Sequence, residues 1–345
     1  MPRGRNTTLL AVALLAILAL WPGRAAAAVS PGVVPQDPVS EADLGLMKQG
    51  GVETVRFQVT WASVERTPGI YDWSSLDAFM DGLARHGLEP LPYVFGSPAW
   101  VANQPKHPPI DTAADRAAWR SFLRAMAARY GAGGRFWTAR EAKAPIRRWQ
   151  IWNEPNFEFY WDPDPDPKDY AELVKVSARA IRSVERRAEI MLGGVAPVRS
   201  GTRWWIYLRK FYDVPGIKAS FDAVALHPYS QSMRDLRWQV KRARRIMANA
   251  NDGRTPLGIT EIGWSSGTQR VPLVVGPARQ ARLLTNSFRL FANPGLRISD
   301  ADWYAWKDTT AVVPHCSFCA EAGLFDLRGN PKPSWPAYRK AVRRF

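Results

Sequence analysis

Two glutamates stand out in the sequence as groups that could carry chemistry. Glu154 follows a short apolar run, and Glu261 ends another such run at 257–261. Pro155 is expected to hold Glu154 in an extended backbone conformation, because a residue before proline is disfavoured in a helix. Both glutamates lie among aromatic and amide side chains, where a carboxylate costs free energy unless it is hydrogen-bonded or used. Such a pair suits acid–base or nucleophilic catalysis.

The elements that must position these glutamates alternate between strands and helices. Short apolar or β-branched runs predict strands at 33–36, 54–59, 90–95, 146–152, 190–195, 221–226, 257–261 and 298–306. Longer amphipathic runs predict helices at 41–49, 74–86, 112–130, 167–188, 203–212, 233–250, 277–291 and 334–342. Local signals support several boundaries: Thr112 with Asp115 resembles an N-cap, Pro167 suits a first helical turn, and Gly87 follows a helix end.

This alternation predicts a parallel sheet with right-handed crossovers. Eight strand–helix units suit a single (β/α)8 TIM barrel, which we place at 29–345. An open doubly wound sheet is the alternative, but no Gly-x-Gly-x-x-Gly motif follows the first strand. In a barrel the active site lies at the carboxyl ends of the strands, where both glutamates fall.

The N-terminal segment predicts export. Arg3 and Arg5 precede an apolar run at 9–20, which a small-residue stretch at 25–28 follows. This order is typical of a secretory signal peptide, so we assign residues 1–28 to one and expect a secreted or extracytoplasmic protein. No later window holds the roughly 18 apolar residues that a membrane helix needs. We therefore expect no membrane association after cleavage.

The two cysteines, Cys316 and Cys319, are expected to form a local disulfide, because disulfides persist outside the cytosol. A redox or metal-binding role for this pair is the weaker interpretation, since a metal site needs more ligands nearby. The sequence holds four histidines and no His-Glu-x-x-His motif, which speaks against a zinc enzyme. We expect neither a metal nor a cofactor.

The segment Trp152-Asn153-Glu154-Pro155, with Glu261 on the seventh predicted strand, resembles the signature of clan A retaining glycoside hydrolases. The form Trp-Asn-Glu-Pro-Asn, with residues 96–100 after the third strand, is most similar to family 39 and relatives that act on extracellular polysaccharide. The resemblance implies a retaining glycosidase that cleaves an oligo- or polysaccharide by double displacement. Glu154 would then be the acid/base and Glu261 the nucleophile.

The resemblance also implies supporting residues. Arg56 would keep Glu261 ionised, Asn153 would hold the sugar 2-hydroxyl, and Tyr229 would hydrogen-bond Glu261. His227 would line the acid/base side, unless it is a core histidine that satisfies backbone groups. Three tryptophans are candidate sugar platforms, since an aromatic face buries the apolar side of a pyranose. These are Trp100, Trp264 and Trp306.

Two other functions remain open. The run 263–267 matches a Gly-x-Ser-x-Gly elbow, so Ser265 with Asp302 and His315 could form an esterase triad. The sequence carries 47 basic against 31 acidic residues, a formal charge of +16, so the protein could instead be a non-catalytic binder of anionic glycans. Six basic residues cluster on the helix predicted at 233–250: Arg234, Arg237, Lys241, Arg242, Arg244 and Arg245. We expect a monomer that does not bind nucleic acid.

Overall fold

The computed structural model describes Met1, residues 29–311 and residues 316–345. The signal peptide predicted at 1–28 therefore lies outside the described residues, apart from Met1. The strands are β1 Ser30–Val34, β2 Thr54–Thr60, β3 Glu89–Phe95, β4 Arg148–Ile151, β5 Glu189–Leu192, β6 Val224–Leu226, β7 Leu257–Ile262 and β8 Ile298–Tyr304. The helices are α1 Glu41–Gln49, α2 Trp61–Val64, α3 Ser74–Arg85, α4 Ala113–Tyr130, α5 Pro167–Arg182, α6 Trp204–Tyr212, α7 Met233–Asn249, α8 Pro277–Phe291 and α9 Ser334–Val342.

The eight strands form one parallel sheet in the order β5-β4-β3-β2-β1-β8-β7-β6. The two end strands, β5 and β6, are linked by parallel bridges between Met191 and Ala223 and between Val195 and Leu226. The sheet thus curls into a nearly closed barrel with helices between the strands. This confirms the predicted (β/α)8 TIM barrel.

The residues predicted to begin helices α4 and α5 do so in the structure. The Thr112 hydroxyl accepts a hydrogen bond from the Asp115 amide, and the Asp115 carboxylate accepts one from the Thr112 amide. Pro167 is the first residue of α5. Several elements were predicted too long: the strands lack 35–36, 146–147, 152, 193–195, 221–223 and 305–306, and α5 ends at Arg182 instead of 188. The four-residue helix α2 was not predicted, since a single turn has no periodicity to detect.

Among the helices of the described residues, none combines the length and the apolar character that a membrane span requires.

The barrel interior is polar. Arg148 on β4 pairs with Asp300 on β8, and the side chain of Arg56 on β2 reaches Gln150 on β4. Side chains that join strands which are not neighbours in the sheet must cross the inside of the barrel. The apolar side chains of Leu91, Met191 and Ala225 form a small cluster that is separate from the main core. The main core lies mostly between the sheet and the helices.

Asp302 also occupies this interior, and Gly32 on β1 makes room for it. A β-carbon built on Gly32 would lie 1.8 Å from Asp302 Oδ1 and 2.9 Å from the Thr54 carbonyl oxygen. Burial raises the pKa of Asp302 well above its ordinary value, and the neighbouring Asp300 adds to this effect. The absence of a side chain at position 32 is therefore a steric requirement of the barrel.

We expect Gly32→Ala to lower the free energy of unfolding by about 1–3 kcal/mol, because the new methyl group overpacks the interior. Gly133→Ala is the matched control, since a β-carbon there meets nothing within 4 Å. Thermal unfolding of both variants measures the difference. Equal melting temperatures for the two variants would contradict the steric argument.

Candidate active site

The two candidate glutamates meet at the carboxyl ends of the strands. Glu261 lies near the end of β7, and Glu154 lies three residues beyond the end of β4. One oxygen of each carboxyl group and a ring nitrogen of His227 all lie within 4.8 Å of one another. Glu154 is 8% exposed and Glu261 9% exposed, and both line a cavity of about 1830 Å³. The two carboxyl groups are thus close together and open to a ligand.

The backbone at Glu154 differs from the sequence prediction. Its φ is 38°, a left-handed conformation instead of the extended one predicted from Pro155, and Trp152 is also left-handed with a φ of 68°. The prediction was wrong because contacts of the folded chain outweigh the local preference. Glu154 is within hydrogen-bond distance of His227, while Pro155 Cδ packs 3.1 Å from where Gly193 would carry a β-carbon. Left-handed conformations of residues other than glycine are strained.

Glu261 is held by two donors. Arg56 Nη1 donates to Oε1 over 2.6 Å, and the Tyr229 hydroxyl donates to Oε2 over 2.8 Å. Burial and the charge of Glu261 raise the pKa of Tyr229 well above its usual value, so this hydroxyl keeps its proton. The guanidinium group of Arg56 thus places a positive charge directly against the Glu261 carboxyl group.

Arg56 itself is fully buried and firmly held. Its Nε donates to Gln150 Oε1 and its Nη2 to Asn153 Oδ1, both over 2.7 Å. Its guanidinium carbon lies 4.3 Å from the centre of the Tyr93 ring. Burial acts to lower the pKa of Arg56, but the charges of Glu261 and Asp302, the Tyr93 side chain and the hydrogen bond to Glu261 together outweigh it, so the pKa is raised. Arg56 therefore remains a fixed cation beneath the two carboxyl groups.

Glu154 lies in a different electrostatic environment. Its Oε1 is 2.8 Å from His227 Nδ1, and His227 Nε2 is 2.9 Å from the Thr260 hydroxyl. Burial and the nearby charge of Arg56 hold the pKa of His227 well below its ordinary value, so the imidazole is neutral. Burial, with the nearby charge of Glu261, raises the pKa of Glu154 well above its ordinary value. Glu154 therefore retains its proton at pH values where an ordinary glutamate is ionised.

The cavity wall is rich in aromatic side chains. They include Tyr93, Phe157, Phe159, Tyr160, Tyr304 and Phe318. Phe318 lies inside the ring that the disulfide between Cys316 and Cys319 closes. Its ring packs 5.0 Å from that of Tyr229, the donor to Glu261. The disulfide loop is thus part of the cavity wall and is linked to Glu261 through Tyr229.

The structure does not bring the three candidate tryptophans to the cavity. Trp264 is fully buried and donates to the Ser230 carbonyl, and Trp306 is 2% exposed and donates to Asp43. The strand predicted to reach 306 ends at Tyr304, so Tyr304 occupies the wall position expected for Trp306. Trp100 packs edge-on against Trp61 and donates to a backbone carbonyl. In the described part of the chain, the rings that line the cavity are phenylalanines and tyrosines.

The serine motif does not form an esterase site in the described residues. Ser265 is 1% exposed, its hydroxyl accepts from the Gly267 amide, and its backbone pairs with Val274. The elbow must lead straight into a helix, but α8 begins only at Pro277. Asp302 lies inside the barrel, and His315 lies outside the described residues.

Several residues of the site escaped the sequence analysis. Gln150 and Thr260 orient Arg56 and His227, while Tyr93, Tyr304 and Phe318 form the wall. Gln150 did leave a signal, because a polar residue between Trp149 and Ile151 in a buried strand needs a partner. Phe318 left none, since its place depends on a loop fold that no periodicity encodes.

A metal ion would meet a competing charge here. In the regions that the structure describes, Glu154, His227 and Glu261 form a group whose ligand atoms could hold an ion. Arg56 already occupies Glu261 Oε1, so a second cation would be repelled at short range. The site is therefore better suited to proton transfer and nucleophilic attack than to metal binding.

Comparison with known proteins identifies the family. The model of glycosyl hydrolases family 39 matches residues 46–261. The chain belongs to that family. The match ends at Glu261 and contains Arg56, Glu154 and His227, so it spans the residues that build the site.

Individual relatives are distant. A β-xylosidase of Geobacillus stearothermophilus is 24% identical over 215 residues, which are 56% of this chain and 41% of the relative. The chain thus spans less than half the length of this relative. A family 39 glycoside hydrolase from Bacteroides cellulosilyticus has a TM-score of 0.68 at 20% identity, covering 92% of this chain and 64% of that one. A β-xylosidase from Caulobacter crescentus has a TM-score of 0.68 at 22% identity, covering 92% and 72%.

We expect opening of the disulfide between Cys316 and Cys319 to disturb the cavity wall. Replacing Cys316 and Cys319 together by serine should lower kcat/KM about tenfold, because small misplacements in an active site are costly and Phe318 packs on Tyr229. Ser317→Ala, in the same loop with the disulfide intact, is the control and should keep its activity. Initial rates on a glycoside measure the effect. Unchanged kcat/KM in the double variant would show that the loop does not position Tyr229.

Proposed function

We propose that the protein is a secreted, retaining glycoside hydrolase that cleaves an oligo- or polysaccharide by double displacement. Glu154 is the general acid/base and Glu261 is the nucleophile. One observation carries this proposal: an oxygen of Glu154 and an oxygen of Glu261 lie within 4.8 Å of each other, the pKa of Glu154 is raised, and Glu261 is paired with a buried arginine. Retaining glycosidases place their carboxyl groups about 5–5.5 Å apart, whereas inverting enzymes leave about 6.5–9.5 Å for a water molecule.

In the first step the Glu154 carboxyl donates its proton to the leaving glycosidic oxygen. A Glu261 oxygen attacks the anomeric carbon as the bond to that oxygen breaks, and a glycosyl ester forms. In the second step the Glu154 carboxylate takes a proton from water, which attacks the anomeric carbon. The ester bond breaks, the sugar leaves and Glu154 is protonated again.

The neighbours of the two glutamates suit these roles. Arg56 and Tyr229 keep Glu261 aimed and stabilise the carboxylate that returns in the second step. Asn153 accepts from Arg56 through Oδ1, so its NH₂ group is the end that can donate to a sugar 2-hydroxyl. His227, fixed by Thr260, supports the carboxylate that Glu154 becomes after the first step.

The size of the cavity supports a substrate longer than one sugar. Its volume of about 1830 Å³ exceeds the roughly 300–1,000 Å³ typical of small-ligand pockets. Its phenylalanine and tyrosine rings can pack against the apolar faces of pyranoses. Because the Geobacillus relative is a β-xylosidase, an aryl β-xyloside is the first substrate to try.

Export and a single-chain site complete the proposal. The order of charged, apolar and small residues in 1–28 supports a cleaved signal peptide. The disulfide between Cys316 and Cys319 is consistent with export, because disulfides persist in oxidising compartments. One chain supplies both glutamates and the cavity wall, which supports action as a monomer.

A 2-fluoro glycoside with an activated leaving group should label Glu261. The fluorine slows hydrolysis of the glycosyl ester, so the intermediate accumulates and peptide mass mapping locates it. Label on another residue, or product of inverted configuration, would refute the assignment of the nucleophile.

Glu154→Ala should lower kcat about 10²–10⁴-fold on an unactivated glycoside, the usual contribution of general acid catalysis. Azide should restore the turnover of a dinitrophenyl glycoside and give a glycosyl azide, whereas Glu261→Ala should stay inactive. Glu158→Ala changes an exposed glutamate of the same loop and should behave as wild type. Failure of azide to restore Glu154→Ala would remove Glu154 as the acid/base.

The dependence of kcat/KM on pH should report the protonation state of Glu154. The raised pKa of Glu154 keeps the acid protonated to higher pH, and activity should fall as the pH rises through that pKa. The profile of kcat/KM should therefore have an alkaline limb that disappears in Glu154→Gln on a dinitrophenyl glycoside, where no acid is required. Glu158→Gln should keep the limb. A limb unchanged in Glu154→Gln would mean that another group titrates.

A further inference from the structure

Two tryptophans lie on the outer surface where α6 and α7 pack together. Trp238 on α7 is 49% exposed, and Trp205 on α6 is partly exposed. Their rings meet edge to face, with centres 5.6 Å apart and planes at 85°. An exposed fraction of one half is unusual for a tryptophan whose only role is packing. This pair forms a ridge on which a ligand could rest.

Basic side chains surround the ridge. The α6–α7 face consists of Trp205 and Trp238 with Arg203, Arg234, Arg237 and Lys241. The guanidinium carbon of Arg203 lies 5.7 Å from the centre of the Trp205 ring. Residues three and four apart are neighbours on a helix, so Arg234 and Lys241 flank Trp238.

These cations are poorly neutralised. Across 29–311 and 316–345, no acidic side chain lies within 4.0 Å of a charged nitrogen of Arg237 or Lys241. Arg234 approaches only Asp235, at 3.7 Å, and is 92% exposed. A solvated stripe on an outer helix would explain the charges alone, but it does not explain an exposed tryptophan between them. The combination favours a ligand that has both apolar ring faces and negative charge.

The α6–α7 face is next to the cavity of the glycosidase. Asp235 and Gln239 on α7 line the cavity, and Trp238 lies between them in the sequence. On the α6 side, Arg199 and Ser200 line the cavity just before Arg203. The face therefore continues the cavity wall along α7 and along the segment that leads into α6.

We propose that the α6–α7 face is a surface binding site for an anionic polysaccharide, a chain whose sugars carry carboxylate groups. The apolar face of a sugar ring stacks on Trp238, and the carboxylates pair with Arg237 and Lys241. A pyranose chain is favoured over a nucleic acid because the face borders the cavity of a carbohydrate enzyme. This binding does not depend on the catalytic roles proposed for Glu154 and Glu261.

The test measures binding of the full protein to polygalacturonate, with neutral dextran and a duplex DNA fragment as competing probes. We expect binding to polygalacturonate that weakens with salt, and none to dextran. Trp238→Ala leaves the net charge unchanged and should weaken binding about fivefold, the contribution of one aromatic contact. Arg237→Glu with Lys241→Glu should weaken it about tenfold.

The matched control reverses two arginines far from the face. Arg186 and Arg187 are exposed in the turn that leads into β5, and Arg186→Glu with Arg187→Glu makes the same change in net charge. This variant should bind polygalacturonate nearly as wild type does. Equal weakening by both charge reversals, or no effect of Trp238→Ala, would reduce the binding to non-specific attraction and overturn the proposal. Binding of DNA that is tighter and depends on Trp238 would replace it with a nucleic-acid site.

The rate on a small aryl glycoside is measured for every variant. It should stay unchanged, because the α6–α7 face lies outside the catalytic pair. Loss of polygalacturonate binding with this rate intact supports the surface site. Wild-type binding to polygalacturonate without aryl glycosidase activity would instead refute the proposed catalytic roles and leave the surface site standing.

Discussion

The site depends on the repulsion between two neighbouring carboxyl groups, Glu154 and Glu261, and on the different charges that surround each of them. Buried carboxylates as close as Glu154 and Glu261 repel each other strongly, so burial favours a single negative charge for the pair. The surroundings of the two groups differ, because the Arg56 guanidinium contacts Glu261 while Glu154 lies beside a neutral imidazole. The pKa of Glu154 is raised and Glu261 is paired with a cation, and two carboxyl groups in environments that differ in this way suit acid catalysis beside a nucleophile.

A buried cation of this kind requires a polar barrel interior. Gln150 and Asn153 accept hydrogen bonds from two further nitrogens of Arg56, and Thr260 satisfies the imidazole on the side away from Glu154. Lower in the barrel, Arg148 pairs with Asp300. The oxygens of Asp302 make no hydrogen bond within the described residues, and its raised pKa removes the cost of a bare charge there. Much of the barrel's interior therefore serves electrostatics, while apolar burial is left to the interface with the helices.

The sequence was most informative where local pattern and position agree. Alternating elements predicted the barrel, and the carboxyl ends of its strands predicted where Glu154 and Glu261 meet. Side-chain direction beyond the strands was not predictable. Trp306 was predicted to lie on the cavity wall at the end of β8. However, β8 ends two residues before it, and the Trp306 ring packs in the core against Phe325. The backbone of Glu154 was also missed, because its conformation is imposed by contacts that are distant in sequence and outweigh the preference of a single peptide unit.

The left-handed backbone at Trp152 and Glu154 has a cost in the stability of the folded chain. Such conformations cost about 1–3 kcal/mol each, and only the surrounding packing maintains them. Glycine would adopt the same angles without strain. A chain with glycine in place of Glu154 would relieve the backbone strain and lose the carboxyl group that we propose as the proton donor. The strain of this loop therefore accompanies the placement of a carboxyl group beside Glu261, and the substitution that relieves it most fully removes that group.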